Sequence, residues 1–287
     1  MKKSGARLHI AVLAKGERYV RGCALPPRPR EAHKGEFGRV AVIGGAVGYT
    51  GAPVLAASGA VRTGSGLVHL YVPREIYPIV AVKCSSSMPA PLPDTVEQVL
   101  EALAPCDAVL LGPGLGRGER QTALVLELTR KLPCPLILDA DGINAVAGHI
   151  DILKERRGLT ILTPHEGEFL RLGGQLSLGR TAAARRFAVE SHCVLVLKGR
   201  RTVTAFPDGA FFMNTTGNPG MAKGGSGDVL GGMVLSLLGQ GLPPKQAVPA
   251  AVWFHGKAGD RAAKRWGEAG MTPSDIVNEI PFTLLLK

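Results

Sequence analysis

No stretch constrains this chain more than residues 214–228, Asn-Thr-Thr-Gly-Asn-Pro-Gly-Met-Ala-Lys-Gly-Gly-Ser-Gly-Asp, because it runs straight into an apolar helical pattern. Gly217, Gly220, Gly224, Gly225 and Gly227 permit positive φ and let main-chain N–H groups approach a ligand that a Cβ would hold away. Val229, Leu230, Met233, Val234, Leu237 and Leu238 then recur in pairs, which predicts an amphipathic helix with one apolar stripe, stopped by Gly239 and Gly241. Free N–H groups and partial positive charge at such a helix start suit a phosphoryl group beside Ser226 and Gly227. Asp228 falls in the first turn. A carboxylate beside a phosphate is unfavourable unless it has a task, and taking a proton from an attacking hydroxyl is one. Ser226 or Asp228 acting only as a helix cap is the plainer reading. Against it, this run is long for a connector, poor in bulky side chains and pinned by Pro219.

With 287 residues, 38 of them glycine, and only 5% aromatics, one large α/β domain is favoured over two smaller ones. Residues 1–34 read as an extension ending in Pro26, Pro27 and Pro29, and 35–287 as a single domain. The basic start, with its short apolar piece at 8–14, lacks a cleavage site and reads as a frayed extension, so the expected compartment is the cytoplasm. No apolar run is long enough to span a membrane. Cys23, Cys84, Cys106, Cys134 and Cys193 are widely spaced without a CxxC pair, which predicts reduced small core residues and gives a zinc site little support. The net charge of +11 raises the question of polyanions. Basic residues nevertheless come in scattered pairs, not in a stripe interleaved with aromatics, so nucleic acid is not the expected partner.

In chain order, apolar runs predict strands at 39–45, 67–72, 107–111, 136–139, 159–162, 194–197, 203–206 and 210–213. Helices are predicted at 53–63, 120–131, 181–191 and 247–261, and a short capped helix from Thr272 before a closing apolar segment at 282–286. Small residues along 53–63 would let that helix lie against the sheet or against another subunit. Pro249 implies that the helix at 247–261 starts late or kinks, and a lone His255 there reads as structural or at a site edge. The Gly112-Pro113-Gly114-Leu115-Gly116-Arg117 turn has Arg117 where G-x-G-x-x-G needs its third glycine, so a dinucleotide hydride-transfer fold is rejected. No G-x-x-x-x-G-K-[ST] is present, which removes the P-loop enzymes. Asp139 and Asp141 end one strand and serve either the site or the next helix as caps. His165 and Glu168, three apart on a helix start, carry the same two readings; they do not form H-E-x-x-H. The turn Lys198-Gly199-Arg200-Arg201-Thr202 either faces solvent or touches a nucleotide. Strands alternating with helices, without an internal repeat or linker, predict a mostly parallel sheet covered on both faces, with the site along its carboxyl edge.

Seven pieces in order, spanning 26–260, resemble the ribokinase-like superfamily and, within it, the NAD(P)H-hydrate dehydratases. They are His33-Lys34-Gly35, the glycine turn 44–52, Gly112–Gly116, Asp139-Ala140-Asp141, the run 163–169, Lys198-Gly199, and 218–228. The resemblance implies a hydro-lyase that restores NADH or NADPH from the S epimer of its hydrate, with AMP and phosphate released from ADP, or ATP as the other choice. It implies Asp228 as the catalytic base, and Ala52, Gly114, Gly116, His165 and Asp228 around the hydrate. Lys198, Gly199, Arg200, Arg201, Thr202, Asn218, Gly225, Ser226 and Gly227 would hold the nucleotide. The superfamily's N-x-x-E, which steadies magnesium, corresponds to His165 and Glu168, with His in place of Asn. A homotetramer is the implied assembly, and no epimerase domain is expected before residue 34. A vitamin-precursor alcohol kinase of the same superfamily is the alternative, since loop and base would serve any phosphoryl transfer to a hydroxyl. A non-catalytic basic nucleotide- or nucleic-acid-binding protein is the more distant one.

Overall fold

The computed structural model describes residues 27–284. Nine strands form one sheet in the order β3-β2-β1-β4-β5-β6-β7-β8-β9. These are β1 (Arg39–Ile43), β2 (Leu67–Val72), β3 (Met88–Pro91), β4 (Ala108–Leu111), β5 (Leu136–Leu138), β6 (Thr160–Leu162), β7 (Val194–Leu197), β8 (Val203–Ala205) and β9 (Phe211–Met213). Every neighbouring pair from β3 through β7 is parallel; β7, β8 and β9 close the other end as an antiparallel meander. The continuous apolar runs are what a sheet buried on both sides requires. Along β1, Val40 and Val42 enter one core and Ala41 and Ile43 the other, as the two-residue period of a strand dictates.

Helices α1 (Gly51–Thr63) and α2 (Tyr77–Lys83) pack on the first face, while α3 (Val96–Leu103), α4 (Glu119–Lys131), α5 (Asp141–Val146), α6 (Ile152–Glu155), α7 (Glu166–Arg171) and α8 (Arg180–Glu190) pack on the second. The chain then returns to the first face with α9 (Ser226–Gly239), α10 (Pro244–Gly270) and α11 (Pro273–Leu284). The mostly parallel sheet with helices on both faces is therefore as expected.

Four expectations need correction. First, β3 was not foreseen: Pro89 and Pro91 mask it, and a strand tolerates them because β3 is the sheet's outermost member. Second, α9 is not a helix with a single apolar stripe; from Val229 to Gly239 every residue is buried. Off the stripe, Gly231, Gly232, Ser236 and Gly239 are small and Leu235 is a fully buried apolar residue, so no face is solvated. A Cβ on Gly232 would lie 1.9 Å from the carbonyl oxygen of Ala56, one on Gly239 2.2 Å from Val40, and Ser236 accepts a 2.8 Å hydrogen bond from Ser65. Third, the small residues of α1 lie against the sheet, as expected, and also against α9, a contact that was not: a Cβ on Gly59 would come within 2.6 Å of the Val229 carbonyl oxygen. Fourth, α10 begins at Pro244 and keeps helical dihedrals through Pro249; its break is at Gly267, with φ 72° and ψ 155°. Pro249 sits just past the first turn, so it removes one hydrogen bond near an end and the helix proceeds.

The tail helix starts as expected, with Thr272 Oγ1 accepting from the Asp275 N–H and the Thr272 N–H donating to Asp275 Oδ2. It absorbs residues 282–284, and the rest of the closing segment lies outside the described residues, as do 1–26 of the N-terminal extension, Cys23 included. The remaining four cysteines are free. Burial pushes the Cys106 thiol up to about 11 and that of Cys193 up to about 12, so both are inert core residues. No helix among the described residues is long and apolar enough to cross a membrane.

Candidate active site

Because β1 and β4 to β7 run parallel, the loops that follow them meet along one edge. The strand order reverses beside β1, which puts the crevice between the loops after β1 and β4. There Gly45 N–H donates to the Pro113 carbonyl at 2.9 Å, and a Cβ on Gly44 would strike the same oxygen at 2.3 Å. Gly114, with φ +58°, has no room for a side chain: its Cβ would lie 2.9 Å from that of Tyr49 and 3.1 Å from that of Ala52. Gly116 N–H is fixed by a 3.0 Å bond to Asp141 Oδ2, while Asp141 Oδ1 accepts from Arg117 and Asn144. Asp141 therefore shapes the glycine turn and makes no side-chain cap to α5.

Three residues further along α1 from Ala52, Leu55 reaches the start of α9: a Cβ on Gly225 would lie 2.6 Å from Leu55 Cδ1. Gly225 caps α9 at φ +103°, leaving the first-turn N–H groups of Gly227 and Asp228 without intrahelical acceptors. Lys198 completes this corner. Its ammonium lies 3.3 Å from the position of a Gly227 Cβ, 2.7 Å from Asp139 Oδ1 and 3.9 Å from Glu168 Oε2. Asp139 is almost wholly buried, and Thr163 Oγ1 donates to its Oδ1 at 2.7 Å. Arg180 fixes the lysine's main chain by donating to the carbonyls of Leu197 and Lys198, both at 3.1 Å.

Asp228 faces these charges. Burial first, then the Asp139 and Glu168 carboxylates, push its carboxyl up to about 7 against the opposing pull of Lys198. A carboxylate with that pKa can take up and release a proton near neutrality. Lys198 is held charged: burial works against it, but Asp139, Glu168 and Asp228 outweigh burial. Behind α9, burial pushes the His255 imidazole down to about 4, assisted by the charge of Lys198 and opposed by a bond to the Ser226 backbone. His255 is thus a neutral buried residue, and its Nε2 and Ser226 Oγ both lack partners.

The other expected residues are placed as follows. Gly199 and Thr202 close the hairpin through a 2.9 Å bond from Thr202 Oγ1 to the Gly199 carbonyl. Arg200 and Arg201 stand exposed at its tip with no partner among the described residues. Asn218 is a loop staple: Oδ1 accepts from Gly220 N–H and Nδ2 donates to Asp260. His165 is the N-cap of α7, with Nδ1 accepting from the N–H groups of Gly167 and Glu168. Glu168 answers by accepting from His165 N–H at 2.8 Å. With Glu168 committed to this box, and no group of three or more His, Cys, Asp or Glu placed to hold a metal among the described residues, the side chains present do not fit a magnesium ligated directly by protein. Thr163, Arg180, Asp260 and the Lys198–Asp139 pair escaped the sequence. Only the position of Asp139 at a strand's carboxyl end hinted at the pair.

The chain is similar to known proteins over most of its length. Over 273 residues the chain is 42% identical to a bifunctional NAD(P)H-hydrate repair enzyme of Moorella thermoacetica, covering 91% of this chain and 52% of that protein. It thus spans about half the length of the bifunctional relatives it matches. An ADP-dependent (S)-NAD(P)H-hydrate dehydratase of Neisseria meningitidis is 37% identical over 87% of this chain and 86% of its own length. The Bacillus subtilis ADP/ATP-dependent NAD(P)H-hydrate dehydratase, co-crystallised with ATP and magnesium, superposes with a TM-score of 0.81 at 34% identity, covering 93% of this chain and 95% of that one. The architecture also matches a solved ribokinase-like superfamily protein. The family model for NAD(P)H-hydrate dehydratase matches residues 40–282, and the chain belongs to that family.

Proposed function

We propose that this chain restores NADH or NADPH from the S epimer of its hydrate at the expense of ADP. The observation that carries the reading is the corner where Asp228, the free N–H groups at the start of α9 and the Lys198 ammonium converge. Those N–H groups and Lys198 would hold the transferring phosphoryl group, in the manner of an anion hole. The hydroxyl oxygen of the hydrate bonds to the terminal phosphorus of ADP as the bridging oxygen departs with AMP, and Asp228 accepts the hydroxyl proton. The phosphate group then leaves as inorganic phosphate, taking the C–O electron pair, while the adjacent ring carbon gives its proton to the departing phosphate or to solvent and the C–H electron pair re-forms the ring double bond. Ala52, Gly114, Gly116 and His165 would line the hydrate's side, where the missing Cβ at Gly114 lets its turn close against Tyr49 and Ala52. Gly199, Arg200, Arg201, Thr202 and Asn218 would contact the nucleotide from the hairpin and the loop before α9. Magnesium would come in on the nucleotide's phosphates, with Glu168 reaching only its water shell, and no step above depends on it. The expected homotetramer is checked by light scattering; its contact must lie elsewhere than the small-residue face of α1. Action in the cytoplasm belongs to the same proposal.

The deciding assay supplies the purified hydrate with ADP and, in parallel, ATP. Recovery of the reduced-nicotinamide absorbance with stoichiometric phosphate release is the expected result. A stable phosphate ester would instead identify a kinase. Nucleic-acid binding that survives high salt, without turnover, would identify a basic binding protein. Asp228→Asn is expected to bind nucleotide and lose most of the turnover.

A further inference from the structure

We propose that Asp139 is a positioning residue of this site, holding the Lys198 ammonium beside the anion hole until a nucleotide phosphate takes it over. The inference rests on the nucleotide-dependent reading above.

The two partners are unequally anchored. Asp139 cannot follow a departing lysine: its N–H donates to the Leu111 carbonyl at 3.2 Å, its own carbonyl accepts from Gly142 N–H at 2.9 Å, and a Cβ on Gly112 would lie 2.0 Å from that carbonyl oxygen. Lys198 has a fixed main chain, bonded from its N–H to the Pro164 carbonyl at 2.8 Å, and a flexible four-carbon stem. Its ammonium already borders Gly227, so a small rotation brings it to a phosphate seated on the α9 N–H groups. When it leaves, Asp139 keeps the hydrogen bond from Thr163 Oγ1 and is not stranded without a donor.

The transfer has a chemical consequence. Asp228 is faced by Asp139 and Glu168, which favour its protonated form, and by Lys198, which opposes them; the nearby His255 is neutral. Moving Lys198 onto the phosphate weakens that opposition, so the carboxylate becomes a stronger base only when a phosphoryl donor is present. A pair retained for stability alone makes no such link, and a buried ion pair is a weak stabiliser.

The test uses the whole chain with Asp139→Asn, which keeps the shape and removes the competing charge. ADP should bind about tenfold more tightly by calorimetry, kcat should fall with little change in the hydrate KM, and the acid limb of the pH profile should move about one unit lower. In a Lys198→Met background, Asp139→Asn should no longer alter ADP affinity. Unchanged or weaker ADP binding, an unmoved acid limb, or an equal gain with Met at 198 would overturn the proposal. Should Asp139→Asn fail to fold, the wild-type Lys198 ammonium resonance, identified by its loss in Lys198→Met, gives the answer: it should shift with ADP and not with hydrate. An ammonium signal indifferent to ADP refutes the transfer. A wild type that binds ADP with this shift yet never converts hydrate supports the transfer and refutes the functional reading instead.

Discussion

Replacing Asp228 by Asn should stabilise the fold while it abolishes turnover, and the gain should depend on pH. The carboxyl titrates near 3.8 in an unperturbed setting and at about 7 in the folded chain. The folded state therefore binds the proton more tightly than the unfolded state, so stability is lost as pH rises from about 4 to about 7. A difference of roughly three units corresponds to at most about 4 kcal/mol at pH 8. Asn carries no charge and escapes that penalty. The melting temperature of Asp228→Asn should consequently exceed wild type by about 5–10 °C at pH 8, and the gap should close toward pH 4. Calorimetric melts of both proteins across that range, at constant ionic strength, provide the measurement. If the two melt together at pH 8, or differ by the same amount at every pH, the charge environment assigned to Asp228 is wrong.

Gly232→Ala should destabilise by about 1–3 kcal/mol or more, because its Cβ meets the Ala56 carbonyl oxygen at 1.9 Å and α1 must move aside; denaturant titration reads the loss. Gly114→Ala should raise the hydrate KM while leaving ADP affinity near wild type, since the new methyl intrudes on Tyr49 and Ala52 and not on α9; steady-state kinetics and calorimetry separate the two. His165→Ala should lose about 1 kcal/mol through the vacated N-cap of α7, measured by thermal melts, whereas His165→Asn, which can still cap, should retain most of it.

Much of the fold was legible because buried parallel strands announce themselves as short uninterrupted apolar runs: β2 and β7 fall within the limits their composition suggests. β3 was hidden by its prolines, which look like loop until the strand is known to lie at an edge. The helix carrying Asp228 was located correctly, but its enclosure was not, since Gly232, Gly239 and Ser236 look like a weak polar face and act as contact points. Lys198 and Asp139 lie 59 residues apart, and no local pattern encodes their pairing; only the sheet order that sets β5, β6 and β7 side by side does so. Their types and strand-end positions were visible, their distance was not. For Arg200, Arg201 and Asn218 the resemblance implies nucleotide contacts; the first two stand exposed at the hairpin tip and Asn218 is bonded to Asp260, arrangements that a bound nucleotide would have to meet.

The closeness of α1 to α9 divides the molecule by how readily it breathes. Amides of Val229–Gly239 can exchange with solvent only when the whole first-face layer comes apart, whereas the exposed hairpin tip at 199–201 and the loop stapled by Asp260 can open separately. Moderate heating would thus silence the catalyst by loosening its rim while the acid stays seated, and cooling would restore it without any need to refold.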